Sequence, residues 1–189
     1  MNEPIRKKLH HYNDPGQVHS LTFSCYRRMP LLSKDRSRQW LVDSFALFTR
    51  KYKYECLAYV IMPEHVHILV VALDEDYNIS ELLQSIKQSV SIKVKHWLLN
   101  HNSEFLEKLT VYDRKGRKRF RFWQQGGGYD RNIVNEKTLD RAIEYIHNNP
   151  VRRGLVMDPL DWRWSSAMWH ERGRIGSIFE DTQPPELRS

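Results

Sequence analysis

Cysteine is nearly absent from this chain of 189 residues: there are two, Cys25 and Cys56, each inside an apolar run. Thiols so far apart make neither a zinc knuckle nor a disulfide framework, and both are expected buried and reduced. Long apolar runs are missing too, and no stretch approaches the ~20 residues that cross a bilayer. The basic start, Arg6, Lys7 and Lys8, lacks the apolar segment of a signal peptide. The expected location is therefore cytoplasmic, with no membrane partner. No internal repeat is present.

What remains describes an ordinary globular protein, 40% hydrophobic and 28% charged, with length for one domain and a proper core. We expect that domain over about 1–170 and a disordered tail over 171–189. Charge is uneven. The net +7 comes from 30 Lys and Arg against 23 Asp and Glu, and residues 114–121 hold six basic side chains in eight. These are Arg114, Lys115, Arg117, Lys118, Arg119 and Arg121, followed by Phe122 and Trp123. Cations beside aromatic rings suit a nucleic-acid strand, since the first meet phosphates and the second stack on bases. Charge alone would equally fit a solvated hairpin loop or an acidic partner.

Patterning gives the order strand, helix, strand, strand, helix, strand. His19–Arg28 alternates as a first strand, and 35–52 is helical, with Ser33 or Asp35 as cap. Tyr54–Met62 and His65–Ala72 form a hairpin around Pro63-Glu64. A second helix runs from Asn78 or Ser80 to about 100 on the stripe Leu82, Leu83, Ile86, Val90, Val94 and Trp97, with Lys87 beside it. Residues 101–121 read as an irregular basic insertion, Arg119–Gln124 as an edge strand, and Gly126-Gly127-Gly128 as a flexible joint. A third helix, Glu136–Asn148, stops before Pro150. The fold class expected is α+β: a ferredoxin-like split βαβ antiparallel sheet with helices on one face and an additional C-terminal helix.

The chemistry-bearing residues are two histidines and a tyrosine. His65 and His67 flank Val66 on a strand, so both rings project from one face. Such a pair is common on partly exposed strands, and alone it says little. Downstream, Tyr145 and Asn149 stand four residues apart and share a helical face, while His147 points elsewhere. Brought against the paired imidazoles, they would supply three metal ligands and one nucleophile. Tyr129, after the glycine joint and before the potential base Asp130, is the rival nucleophile. His10 and His11, in the N-terminal arm, are further candidates for DNA contact.

At this point the sequence resembles a family. Residues 60–69 (VIMPEHVHIL), Phe122-Trp123-Gln124, Tyr129-Asp130, residues 145–156 (YIHNNPVRRGLV) and residues 161–166 (DWRWSS) are similar to IS200-like single-tyrosine HUH transposases. The REP-associated tyrosine transposases match best. The likeness runs from about residue 10 to 170. It implies Tyr145 as nucleophile, His65, His67 and Asn149 as ligands of Mg²⁺ or Mn²⁺, and single-stranded hairpin DNA as substrate. It also implies the ferredoxin-like fold, the helix carrying Tyr145, and cleavage with rejoining through a 5′-phosphotyrosine. Lys87 and the cations of 114–121 are then DNA-binding candidates, and the protein is either a monomer or a homodimer. Gln125 and Val134 stand where the family usually has arginine. With the glycine run and the basic insertion, these departures bear on how DNA is held. They motivate the alternative of a non-catalytic hairpin-binding protein derived from such an enzyme.

Overall fold

The computed structural model describes residues 16–173 and 178–179; His10 and His11 lie outside them. In chain order the elements are β1 (Val18–Ser24), α1 (Asp35–Lys51), β2 (Tyr54–Ile61), β3 (His65–Ala72), α2 (Ile79–His101), α3 (Ser103–Lys108), β4 (Thr110–Tyr112), β5 (Lys118–Phe120), β6 (Tyr129–Ile133), α4 (Glu136–His147), α5 (Asn149–Arg152) and α6 (Ala167–Glu171). Four strands make one antiparallel sheet in the order β2-β3-β1-β6. The pairing of β1 with β3, and of β3 with β2, leaves β1 and β2 parallel and split by β3. That is the expected split βαβ arrangement.

The strand period of two sorts β1 between two cores. Leu21 and Phe23 join a cluster with Leu41 and Phe45 of α1 and Leu82 and Ile86 of α2. Val18, on the other face, joins Val60, Leu69, Ile133 and Ile146. Helix α4 rides on that second face through Leu139, Ala142, Ile143 and Ile146, a stripe at helical spacing. Fully burying an Ile146-sized side chain contributes about 1.5–3 kcal/mol, so this stripe fixes where the far end of α4 sits.

Caps set several helix starts. The Asn78 side chain accepts from the amides of Ser80 and Glu81 at the head of α2, and Asn135 accepts from Thr138 at the head of α4. Helix α1 begins without a side-chain cap: Lys34 holds the cap position and Asp35 lies in the first turn, where the helix dipole favours a carboxylate. Ser33 does not cap it.

Two differences from the sequence expectation concern the edge. The fourth sheet strand is β6, not Arg119–Gln124; residues 118–120 instead pair with β4 in a separate hairpin. The expected irregular insertion is thus a short helix followed by that hairpin. The outer edge of β2 is covered by residues 162–166, where the Ile61 amide donates to the Trp164 carbonyl and Trp162 Nε1 donates to the Ile61 carbonyl. Covering an edge this way removes a template for unwanted pairing. Of the C-terminal segment, Phe179 is described, buried and stacked on Tyr59 with ring centroids 5.6 Å apart.

Candidate active site

Histidines 65 and 67 do project from one face of β3, and their Nε2 atoms stand 3.1 Å apart. Their other nitrogens are occupied. His65 Nδ1 donates to Glu64 Oε1 at 3.2 Å, and His67 Nδ1 meets Thr22 Oγ1 at 2.8 Å, across the β1–β3 pairing. A carboxylate only accepts, so the hydrogen of His65 sits on Nδ1 and a lone pair on Nε2. The Thr22 hydroxyl can accept the Nδ1 hydrogen of His67 in the same way. Burial lowers the pKa of both rings; for His65 the Glu64 carboxylate works against it, and for His67 burial and then His65 itself bring it to about 4. Both are neutral ligand-type imidazoles at physiological pH.

The third group comes from the other side of the sheet's cover. Helix α4 ends at His147, and Asn149 opens the short α5, with Pro150 in its first turn. Asn149 is buried, with Nδ2 3.3 Å from His67 Nε2. Tyr145, one turn back on α4, stands edge-on to His67 with ring centroids 5.8 Å apart. The four residues singled out from sequence are therefore assembled in one place.

The donor set fits a divalent ion. Two lone pairs converging at 3.1 Å repel unless a hydrogen or a cation lies between them, and a half-turn of the Asn149 amide presents its oxygen to the same point. Among the described residues no group of three or more His, Cys, Asp or Glu could hold a metal. A third donor must then be of another type, which an amide oxygen satisfies.

Beside the histidines lies a cleft of about 640 Å³, lined by Thr22, His67, Tyr129, Arg131, Arg141 and Tyr145. Sequence reasoning missed Arg131 and Arg141. The signal for Arg141 was its position one helical turn before Tyr145; for Arg131 it was alternation with Tyr129 on β6. Arg152, also missed, places its guanidinium 4.9 Å from the Tyr145 ring centroid. Tyr129 shares the cleft, but Asp130 is not its base. The Asp130 side chain lies on the opposite face of β6 and accepts from His19 at 3.1 Å. His147 faces away from the site as expected, buried against Ser166 at 2.8 Å.

The DNA-binding candidates divide. Arg114, Lys115 and Lys118 are exposed on the β4–β5 hairpin. Arg117 and Arg119 on the same hairpin both donate to Asp113 Oδ2, at 3.0 and 3.1 Å. Arg119 and Arg121 also line a second cleft, of about 900 Å³, between α2 and residues 119–127, together with Lys87, Gln84, Gln88 and Gln124. Lys87 Nζ donates to the Gly126 carbonyl at 2.9 Å, and burial lowers its pKa. The cleft continues into the glycine joint, which leads to Tyr129. At Gly128 the backbone is left-handed (φ +86°), and any Cβ would collide with the Thr22 carbonyl oxygen.

Comparison with known proteins places the chain in a family. The family described as "Transposase IS200 like" matches residues 15–149. A Haemophilus influenzae protein carrying the provisional name REP-associated tyrosine transposase is 27% identical over 143 residues, 72% of this chain and 76% of its own. A solved structure described as a REP-associated tyrosine transposase bound to a REP hairpin superposes with a TM-score of 0.68 at 22% identity. The match covers 96% of this chain and 95% of that one, and at that identity it speaks for the fold. The family match spans well over half of the sequence, from ahead of β1 to Asn149: the chain belongs to the IS200-like transposases.

Proposed function

We propose that the protein cuts and rejoins one strand of single-stranded hairpin DNA through a 5′-phosphotyrosine on Tyr145, in the presence of Mg²⁺ or Mn²⁺. The reading places it in the cytoplasm. The observation that carries this reading is the approach of Tyr145 to His67 beside a cleft holding Arg131 and Arg141. The HUH chemistry expected from the sequence needs that juxtaposition.

His65, His67 and Asn149 would hold the ion. When bound, a divalent cation polarises the scissile phosphate and offsets charge building on its oxygens. Arg131 and Arg141 meet the flanking phosphates, and Arg152 orients the Tyr145 ring by lying against it. Tyr145 Oη bonds to phosphorus as the bond to the 3′-oxygen breaks. The phenolic proton passes to water at the cleft mouth, where Tyr145 is 46% exposed, and the departing oxygen takes a proton from the same water to become a free 3′-hydroxyl. The tyrosyl ester conserves the phosphodiester, so a second 3′-hydroxyl can reverse the step without ATP. Lys87, Arg121 and the hairpin cations supply sequence-independent attraction to the backbone.

The test is a labelled hairpin oligonucleotide with unpaired flanks, incubated with Mg²⁺ or Mn²⁺ and resolved under denaturing conditions. A covalent adduct is expected with the wild type and lost with Tyr145→Phe and His67→Ala. Cleavage without adduct would assign a water-using phosphodiesterase instead. Metal-independent binding with no cleavage would assign the non-catalytic alternative.

A further inference from the structure

The two halves of the metal site arrive on separate elements: β3 supplies both imidazoles and α5 supplies the amide. A third connection joins them. Arg153, directly after α5, donates from Nη1 to Glu64 Oε1 at 2.9 Å, and the same oxygen accepts from His65 Nδ1 at 3.2 Å. The Arg153 amide in turn donates to the Asn149 carbonyl at 3.2 Å. The contacts thus close a ring: Asn149, Arg153, Glu64, His65, His67 and back to Asn149.

Glu64 is well placed to be the fixed member. It sits in the tight turn between β2 and β3, and its side chain is only 12% exposed. The turn is gripped from outside, because the Cys25 amide donates to the Glu64 carbonyl and the Leu32 amide to the Pro63 carbonyl, each at 2.8 Å. A carboxylate held there by its backbone can be matched by only one tautomer of the neighbouring imidazole.

We propose that Glu64 and Arg153 are positioning residues for the metal site. Glu64 fixes His65 with its hydrogen on Nδ1, so that Nε2 stays free for the ion. Arg153 orients Glu64 and ties the amide-bearing α5 to the histidine strand, so the three donors keep their spacing as one unit. Carboxylate–imidazole partners of this kind raise the basicity of the ligand and restrict its rotation. The proposal rests on the metal reading above.

Two measurements on the full chain test it. Mn²⁺ binding by titration calorimetry should weaken 10–100-fold in Glu64→Ala, the usual cost of losing such a partner, and less in Glu64→Gln, whose amide oxygen still accepts. Arg153→Ala should also weaken it, and Arg153→Lys should recover part of the loss. Separately, ¹⁵N shifts of the metal-free protein at neutral pH should show His65 as the Nδ1–H tautomer in the wild type and as a mixture in Glu64→Ala, with His147, held by Ser166 away from the site, unchanged as the internal control. A wild-type His65 hydrogen on Nε2, or variants within twofold of wild-type Mn²⁺ affinity, would overturn the proposal. Wild-type protein that binds no Mn²⁺ would overturn the metal reading instead, and with it the role given to the pair, whatever the tautomer.

Discussion

Tyr145 and His67 meet edge to face, ring planes at 86°, although one comes from a helix and the other from a central strand. The contact exists because Ile146, next to Tyr145, is buried against Val60 and Leu69 on the sheet. Packing aims the tyrosine. The Tyr145 side chain itself stays half exposed, open to the cleft.

The glycine joint gives a discriminating test of backbone geometry. Gly126 and Gly128 both have left-handed φ, but a Cβ at 126 meets nothing within 4 Å whereas one at 128 strikes the Thr22 carbonyl. Alanine at either position strains the backbone by about 1–3 kcal/mol. Gly128→Ala should cost clearly more in urea unfolding, and it should also depress adduct yield, since Thr22 holds His67.

Acid should destabilise the metal-free protein in a defined window. Burial, followed by the nearby His170, lowers His147 to about 4 in the folded state, from an ordinary value of 6.5. Between those values the unfolded chain binds the proton and the folded chain does not, so stability is full above about pH 6.5 and falls as pH drops toward 4. His67 adds to the same window. Replacing His147 with Gln removes one titrating group, and the melting temperature of that variant should fall less steeply between pH 6.5 and 4. An unchanged slope would mean His147 is not neutral when buried.

Cations in the second cleft should act through phosphates. Arg121→Gln is expected to weaken hairpin binding about equally for different sequences, and to reduce the slope of log affinity against log salt by about 0.7–0.9. Anisotropy titrations at several salt concentrations read both. Arg119 is the weaker candidate because Asp113 already engages it.

Much of the fold was legible because its signals are local. Strand alternation put His65 and His67 on one face, and helical spacing put Tyr145 and Asn149 on another. The edge strand was not legible. Arg119–Gln124 alternates basic and aromatic residues and looks more like a strand than Tyr129–Ile133, whose Asp130 and Asn132 read as loop. What makes β6 a strand is a distant partner: Asp130 meets the buried His19 of β1, a compensation no window of sequence displays. The same contact removes Asp130 as a base for Tyr129. Glu64 stood beside His65 in the sequence motif, yet the role proposed for it depends on Arg153, just past a helix far along the chain.

Covalent mapping addresses the central claim most directly. The adduct formed with a cleavable hairpin can be digested and the nucleotide-bearing peptide identified by mass spectrometry. The account requires the 5′-phosphate on Tyr145. A nucleotide on Tyr129, or a cleaved strand with no tyrosine modified, would contradict it.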